Sequence, residues 1–430
     1  MYCATSPPTV RATVLSRRRD RSTSAVCTTG RSPAMCCCTI SWRDDMRVTI
    51  VSRIYRPEPA AASIYLGAVA DELCAQGAEV DVLTAAPPHG SVVEPRGERV
   101  RTFPVLRDAN GYVRGYLPYL SFDIPLAFRL LFIRRPDVVL MEPPPTTGFV
   151  VRVICALRRI PYVYDAADIW SDAAQLEPVS SVVISVLRSM ERFGLRGAAH
   201  VVTISRGVLD RLRALGVDGP ATVTGFGADT REFPPTIAAP QQLFVYAGSY
   251  SPAHGAEILI DAFARFLVDH PGFTLRFIGN GSERPTVEER AEALGVSAHV
   301  EYLDPVPPSE LLPHLAAAAA SLATIKPSAV YEYSYASKAF SSLAVGCPVL
   351  FAGPGPTATL LEEANREVRA GIACGYEADE IAAAMRRLAD DRPSVPERLA
   401  LGEWTAREHS MSTVVRRVVD VLRVAARGRR

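Results

Sequence analysis

No stretch of this chain holds the eighteen or more consecutive apolar residues that a membrane span requires. Net charge is nearly absent: 47 basic against 46 acidic residues leave +1 at pH 7, so nothing in the balance calls for a nucleic-acid partner. No Asp-x-Asp pair occurs in the sequence, and no metal site is expected. The cysteine triplet Cys36-Cys37-Cys38 lacks the spacing of a zinc site and has no histidine beside it. Cys3 and Cys27 complete the five cysteines of the first 38 residues. Cys74, Cys155, Cys347 and Cys374 are scattered through apolar or small-residue contexts and read as reduced core thiols of a cytoplasmic protein. No apolar stretch of the kind a secretory signal needs follows the basic start, so none is expected, while scarce acids and frequent Arg keep a transit peptide as another reading. Residues 1–45, rich in Arg, Ser, Thr and Cys, read as a disordered leader or as an upstream start preceding Met46.

The 430 residues, 48% of them hydrophobic, suffice for two α/β domains with proper cores. Met46 to Ser52 reads as a buried strand. The loop RIYRPEPAAAS, a helix closed by Gly77 and the strand EVDVLTA follow. This order opens a doubly wound domain, whose ligands sit in the loop after the first strand. Glu58 is the one acid of that loop, Ala61 is small enough for backbone to approach a ligand, and Ser63 is a candidate helix cap. Strands over 137–142, 162–170 and 200–205 continue the pattern. Asp168 stands just past a buried strand, two residues before Trp170, where a carboxylate can bind acceptor hydroxyls or accept a proton. Residues 118–135 mix aromatics, leucines and terminal arginines. They read as an ordinary packed helix shortened by Pro125, with contact to a membrane surface as the other reading.

The segment PPTIAAPQQ (234–242) reads as a linker. A second β/α series begins there, so the expected divisions are 46–235, 236–398 and a C-terminal helical segment 399–430. Three loops at strand ends converge on one edge of the second domain: Gly248-Ser249, Gly279-Asn280-Gly281 and Lys326 through Lys338. The glycines let backbone approach a nucleotide, and their N–H groups with nearby helix termini suit a diphosphate. Lys326 and Lys338 supply the positive charge that a departing diphosphate needs. Ser337-Lys338 opens a helix, Gly346 stops it, and Pro-Val-Leu-Phe-Ala is a buried strand.

The window SYASKAFSSLAVGCPVL resembles the Pro-Ser-Lys…Glu-Tyr…Gly-x-Pro-Val segment of family 4 glycosyltransferases. The order PYVYDAADIW, HVVTISRGVLDRL, YAGSYSPAHGAEILIDAF, FIGNG and LATIK is similar to theirs across about residues 46–415. Ala336 stands where that branch usually has proline. Ser341 takes the place of the second glutamate of an E-x7-E pair, and Tyr333, beside Glu332, falls at the first. The resemblance implies a GT-B architecture: two doubly wound Rossmann-like domains facing a cleft, the C-terminal helix crossing back onto the first. It further implies a retaining, metal-independent transferase without a resident cofactor. A UDP- or GDP-sugar would sit at Gly248, Ser249, Gly279, Asn280, Lys326, Lys338 and Ser341. A small-molecule acceptor of a natural-product pathway would lie near Glu58, Ala61, Asp168 and Trp170. A polysaccharide-type enzyme using a lipid-linked acceptor, and a nucleotide-binding partner without turnover, are the other readings. Either a monomer or a homodimer is compatible with all three.

Overall fold

The computed structural model describes residues 46–58, 60–87, 94–107, 113, 116–176, 180–236, 238–328 and 332–428. The leader read at 1–45 lies outside them. Two parallel sheets organise the rest. The first contains β1 (Arg47–Val51), β2 (Glu79–Ala85), β3 (Arg99–Phe103), β4 (Val138–Met141), β5 (Tyr162–Ala166), β6 (His200–Thr203) and β7 (Ala221–Val223). Its spatial order is β3-β2-β1-β4-β5-β6-β7. The second contains β8 (Leu243–Ala247), β9 (Thr274–Ile278), β10 (Val300–Leu303), β11 (Ala320–Thr324), β12 (Val349–Ala352) and β13 (Gly371–Cys374), in the order β10-β9-β8-β11-β12-β13.

Both sheets are doubly wound, with strand order reversing between β1 and β4 and between β8 and β11. Ligands bind such sheets in the crevice at the carboxyl ends of the strands beside the reversal. The central strands are covered on both faces and so read as continuous apolar runs, as in VTIV of β1 and LFVYA of β8. On one face of the first sheet the helix Ala61–Ala75 buries Leu66, Val69, Ala70 and Leu73. The last helix, Met411–Arg427, packs beside it with Val414, Val415, Val418 and Leu422 turned inward at helical spacing. The chain thus returns from the second sheet to close the core of the first.

Three local expectations need correction. The strand read over 162–170 ends at Ala166, and a short helix begins at Trp170. Ser63 does not cap its helix: the helix starts at Ala61, the uncapped Ala60 holds the N-cap position, and Ser63 is buried in the first turn. Pro125 does not shorten the helix over 118–135, which runs from Tyr116 to Phe132 with Pro125 inside it. That helix buries Phe122, Leu126 and Leu130 against the first sheet and leaves an opposite apolar stripe in solvent. Gly346 ends the Lys338–Val345 helix in the left-handed region at φ 89°, where a Cβ would also strike the Arg398 carbonyl. Among the described residues no helix is long and apolar enough to cross a membrane.

Candidate active site

The second sheet contributes a basic cradle. Gly248 follows β8 and Gly279 follows β9, and the two backbones touch: a Cβ on Gly279 would collide with the Gly248 carbonyl. A Cβ on Gly248 would come 2.7 Å from Lys338 Cε. These glycines therefore permit close approach of chain to chain and of the lysine to the turn. Their N–H groups do not face a ligand, contrary to the sequence-based expectation. Gly248 N–H donates to Ile278 O at 2.9 Å and Gly279 N–H to Leu303 O at 3.0 Å, extending the sheet by one residue. Ser249 and Asn280, one position further on, have no backbone acceptor for their amides among the described residues. The Asn280 side chain turns back to accept the Gly281 N–H at 2.8 Å.

Lys338 is the centre of this cradle. Its aliphatic stem runs beneath Gly248, and Nζ lies 3.9 Å from the Tyr246 ring centroid. The amine is buried and has no hydrogen-bond partner. Burial holds it down to about 7, because the charged form has lost water without gaining a counter-charge. Ser341 is half-buried roughly one turn further along the same helix. Lys326 is half-exposed, with Nζ 3.9 Å from the Glu257 carboxylate. The chain contains two lysines in all, and both are here.

His254 is a component that sequence reasoning missed. Its Nδ1 lies 2.6 Å from Ser251 Oγ. Burial and the nearby Lys338 charge push the imidazole down to about 4, so it is neutral at pH 7. Its signal in the sequence was position alone, in the loop after β8.

The first sheet supplies carboxylates at the ends of β4 and β5, two adjacent strands. Glu142 follows β4, Asp165 lies within β5, and Asp168 sits two residues beyond it. Burial pushes Glu142 and Asp165 well above the usual carboxylate range, and the Glu142 charge raises Asp165 further. Glu142 Oε2 lies 3.0 Å from Ser52 Oγ. Asp168 is open to solvent yet ringed by protein, and desolvation raises its carboxyl as well. Its charge reaches Glu142, Asp165 and, from the second sheet's side, Tyr333.

Arg53, missed by sequence reasoning although it directly follows a buried strand, is sandwiched between aromatic rings. Its guanidinium carbon is 4.8 Å from the Tyr119 centroid and 4.9 Å from that of Trp170, and Nη1 donates to Val113 O at 2.6 Å. Trp170 is further fixed through its backbone N–H, which donates to Glu191 Oε1 at 2.8 Å. Ala61 is exposed at the helix start, whereas the Glu58 carboxylate is taken by Arg107 at 3.0 Å. Asp168 and Trp170 thus share one strand end, Lys338 and the glycine turns another, while Glu58 serves the packing of its own loop. No group of three or more His, Cys, Asp or Glu among the described residues is placed to hold a metal ion.

Two facing doubly wound sheets, one carrying a basic cradle and the other carboxylates, define a two-domain group-transfer enzyme. Residues 61–227 match the glycosyl transferase 4-like domain and residues 229–405 match the glycosyl transferases group 1 domain. The chain belongs to the family 4 glycosyltransferases of GT-B fold. It is 26% identical over 403 residues to a D-inositol 3-phosphate glycosyltransferase of Corynebacterium glutamicum, covering 85% of this chain and 92% of that protein. Its fold is similar to sucrose-phosphate synthase from Thermosynechococcus elongatus, with TM-score 0.69, 16% identity and coverage of 88% and 98%. Anabaena HepE in complex with UDP and glucose gives TM-score 0.64 at 17% identity, with coverage of 88% and 99%.

Proposed function

We propose that the protein transfers a sugar from a UDP- or GDP-sugar to a hydroxyl of a small-molecule acceptor in a biosynthetic pathway, with retention at the anomeric carbon. The observation that carries this reading is the buried, unpartnered Lys338 amine between two glycine turns. A buried cation without a counter-charge is costly, and a bound diphosphate would supply the missing charge. The UDP complex of the similarly folded HepE and the phosphorylated acceptor in the names of the curated relatives support the same substrate classes.

In this reading the bond from the anomeric carbon to the diphosphate oxygen breaks, and its electron pair leaves with the nucleotide. Lys338, the Ser249 and Asn280 amides and, more loosely, Lys326 stabilise that charge, with no metal ion needed for the purpose. The acceptor oxygen bonds to the same face of the carbon, and its proton passes to the departing phosphate. Asp168 holds the acceptor hydroxyls, and a closed cleft keeps water from the activated sugar. The reaction belongs in the cytoplasm.

Calorimetry with UDP, GDP, TDP and ADP tests the donor assignment. One nucleotide is expected to bind and to raise the melting temperature. Failure of all four to bind would remove the donor-site reading.

A further inference from the structure

Large apolar side chains exposed to solvent are not spread evenly over this molecule. Among the described residues sixteen are exposed, and eleven of them lie on three neighbouring helices of the first domain. The helix Tyr116–Phe132 carries Leu117, Leu120, Ile124, Phe128 and Phe132, the last 79% exposed. The helix Pro145–Arg158 carries Phe149, Val153 and Leu157, four residues apart. Val182, Val186 and Phe193 repeat the pattern on Ser181–Gly197. The middle helix packs on both others, so the three stripes form one face turned away from the sheet. A contiguous exposed apolar face of this kind marks a contact surface, whereas scattered single residues do not.

The charge on this face selects its occupant. These helices and their ends carry nine arginines. The acids there are Asp123 and Glu191, both buried, and Asp137, which accepts the Arg47 N–H at 2.9 Å. Several guanidinium groups are held by backbone carbonyls: Arg158 by Leu130 O at 2.6 Å, Arg135 by Arg159 O at 2.7 Å and Arg196 by Gly216 O at 2.7 Å. Arg152 is bound in the same way to Phe193 O. A carbonyl fixes a guanidinium without neutralising it; Arg134 is countered by Glu79 and Arg188 by Asp172, each at 3.6 Å, and the other arginines leave the face with an excess of positive charge. A second copy of the chain would set arginines against arginines. An anionic lipid surface offers apolar depth for the stripes and phosphates for the arginines.

The face also begins at the cleft. Tyr119, between the exposed Leu117 and Leu120, stands edge-on to Trp170 at 6.4 Å. We propose that the outer face of these three helices docks on an anionic lipid bilayer, seating the acceptor side of the cleft at the membrane surface. This revises the packed-helix expectation for 118–135, and it does not depend on the identity of the donor.

The test is co-sedimentation of the full-length protein with vesicles of equimolar phosphatidylglycerol and phosphatidylcholine, and with phosphatidylcholine alone. Binding is expected to be at least about tenfold tighter to the anionic vesicles and to weaken with added salt. The double variant Phe128→Ser/Phe132→Ser should weaken anionic-vesicle binding about tenfold or more while keeping the melting temperature, because both rings are already in solvent. Leu157→Ser on the neighbouring helix provides a second, smaller loss should the double variant fold poorly. Three results would overturn the proposal: protein remaining in the supernatant, equal binding to both vesicle types, or variants that bind as the parent does. A stable dimer by light scattering that Phe128→Ser/Phe132→Ser converts to monomer would also overturn it, assigning the face to self-association.

Discussion

Ser205 donates its hydroxyl to the carbonyl of Tyr333 at 3.1 Å, and this bond joins the two domains across the cleft. The Tyr333 ring, 7% exposed, is buried in the apolar cluster of the first sheet, close against Gly207. The same segment continues through Ala336, whose N–H donates to Thr357 Oγ1 at 2.9 Å, to Lys338 five residues on. Lys338 is thereby tied to the first domain by a short strap. Tyr333→Ala should lower stability by about 2–4 kcal/mol, as for loss of a large buried side chain. Tyr333→Phe should behave as the parent. Thermal melting checks both, and an unchanged Tyr333→Ala melt would show that the ring contributes nothing to domain docking.

Lys338→Ala should weaken nucleotide binding by roughly 1–3 kcal/mol, as for loss of a charged hydrogen bond. Its fold should survive, because the lost amine makes no hydrogen bond within the protein. Calorimetry reads the effect directly, and an unchanged affinity would remove Lys338 from the phosphate site.

Binding of a nucleotide sugar should take up a proton. Burial holds Lys338 down to about 7, so it is largely neutral at pH 8 and charged at pH 6. An anionic diphosphate favours the charged form and raises its proton affinity. Affinity should therefore improve as pH falls from 8 to 6, by up to about tenfold for one proton. Titrations in buffers of different ionisation heat measure the uptake. Lys338→Gln should abolish it, and uptake that persists there but disappears in His254→Gln would move the proton to the imidazole.

Asp168→Asn should slow sugar transfer by about 10²-fold or more while leaving donor affinity within about a factor of two, the pattern of a group acting on the acceptor. Equal transfer rates in variant and parent would take Asp168 out of the mechanism.

The pH dependence of stability has an assignable sign as well. Glu142 and Asp165 have raised carboxyls in the fold, so they bind more protons there than in the unfolded chain. Their favourable contribution is present below the unfolded value and is lost as pH rises through about 7. Glu142→Gln should flatten that decline by on the order of 1–2 kcal/mol between pH 5 and 8, measured by melting at each pH. A parallel decline in variant and parent would reject burial of this carboxyl as its cause.

Much of the candidate site was legible because it follows rules of local sequence. Gly248, Gly279 and Asp168 stand at or just beyond the ends of apolar runs, and a parallel sheet puts such ends on one edge. Lys326 and Lys338 flank one loop and were visible for that reason. The use of the glycine amides was not legible, because whether a strand's ladder stops at Ala247 or takes one more bond depends on its neighbour. Arg53 and Glu142 gave no motif; their company with Tyr119 and Trp170, or with Ser52, exists only once β1, β4 and β5 lie side by side.

The sequence by itself determined two doubly wound sheets, the order of their central strands along the chain and the loops at the strand ends, whereas the edge strands β3, β7 and β13 went unread. Apolar periodicity and glycine placement act over a few residues and need no partner to be read. Tertiary structure alone decided that Tyr333 anchors the strap from the other domain, that Lys338 lies dry beneath Gly248 and that Glu58 is engaged by Arg107. It also decided that the Tyr116–Phe132 helix has a second apolar face left in solvent. Burial and pairing depend on residues far away in the chain, and those contacts form only when the sheets and their helices pack.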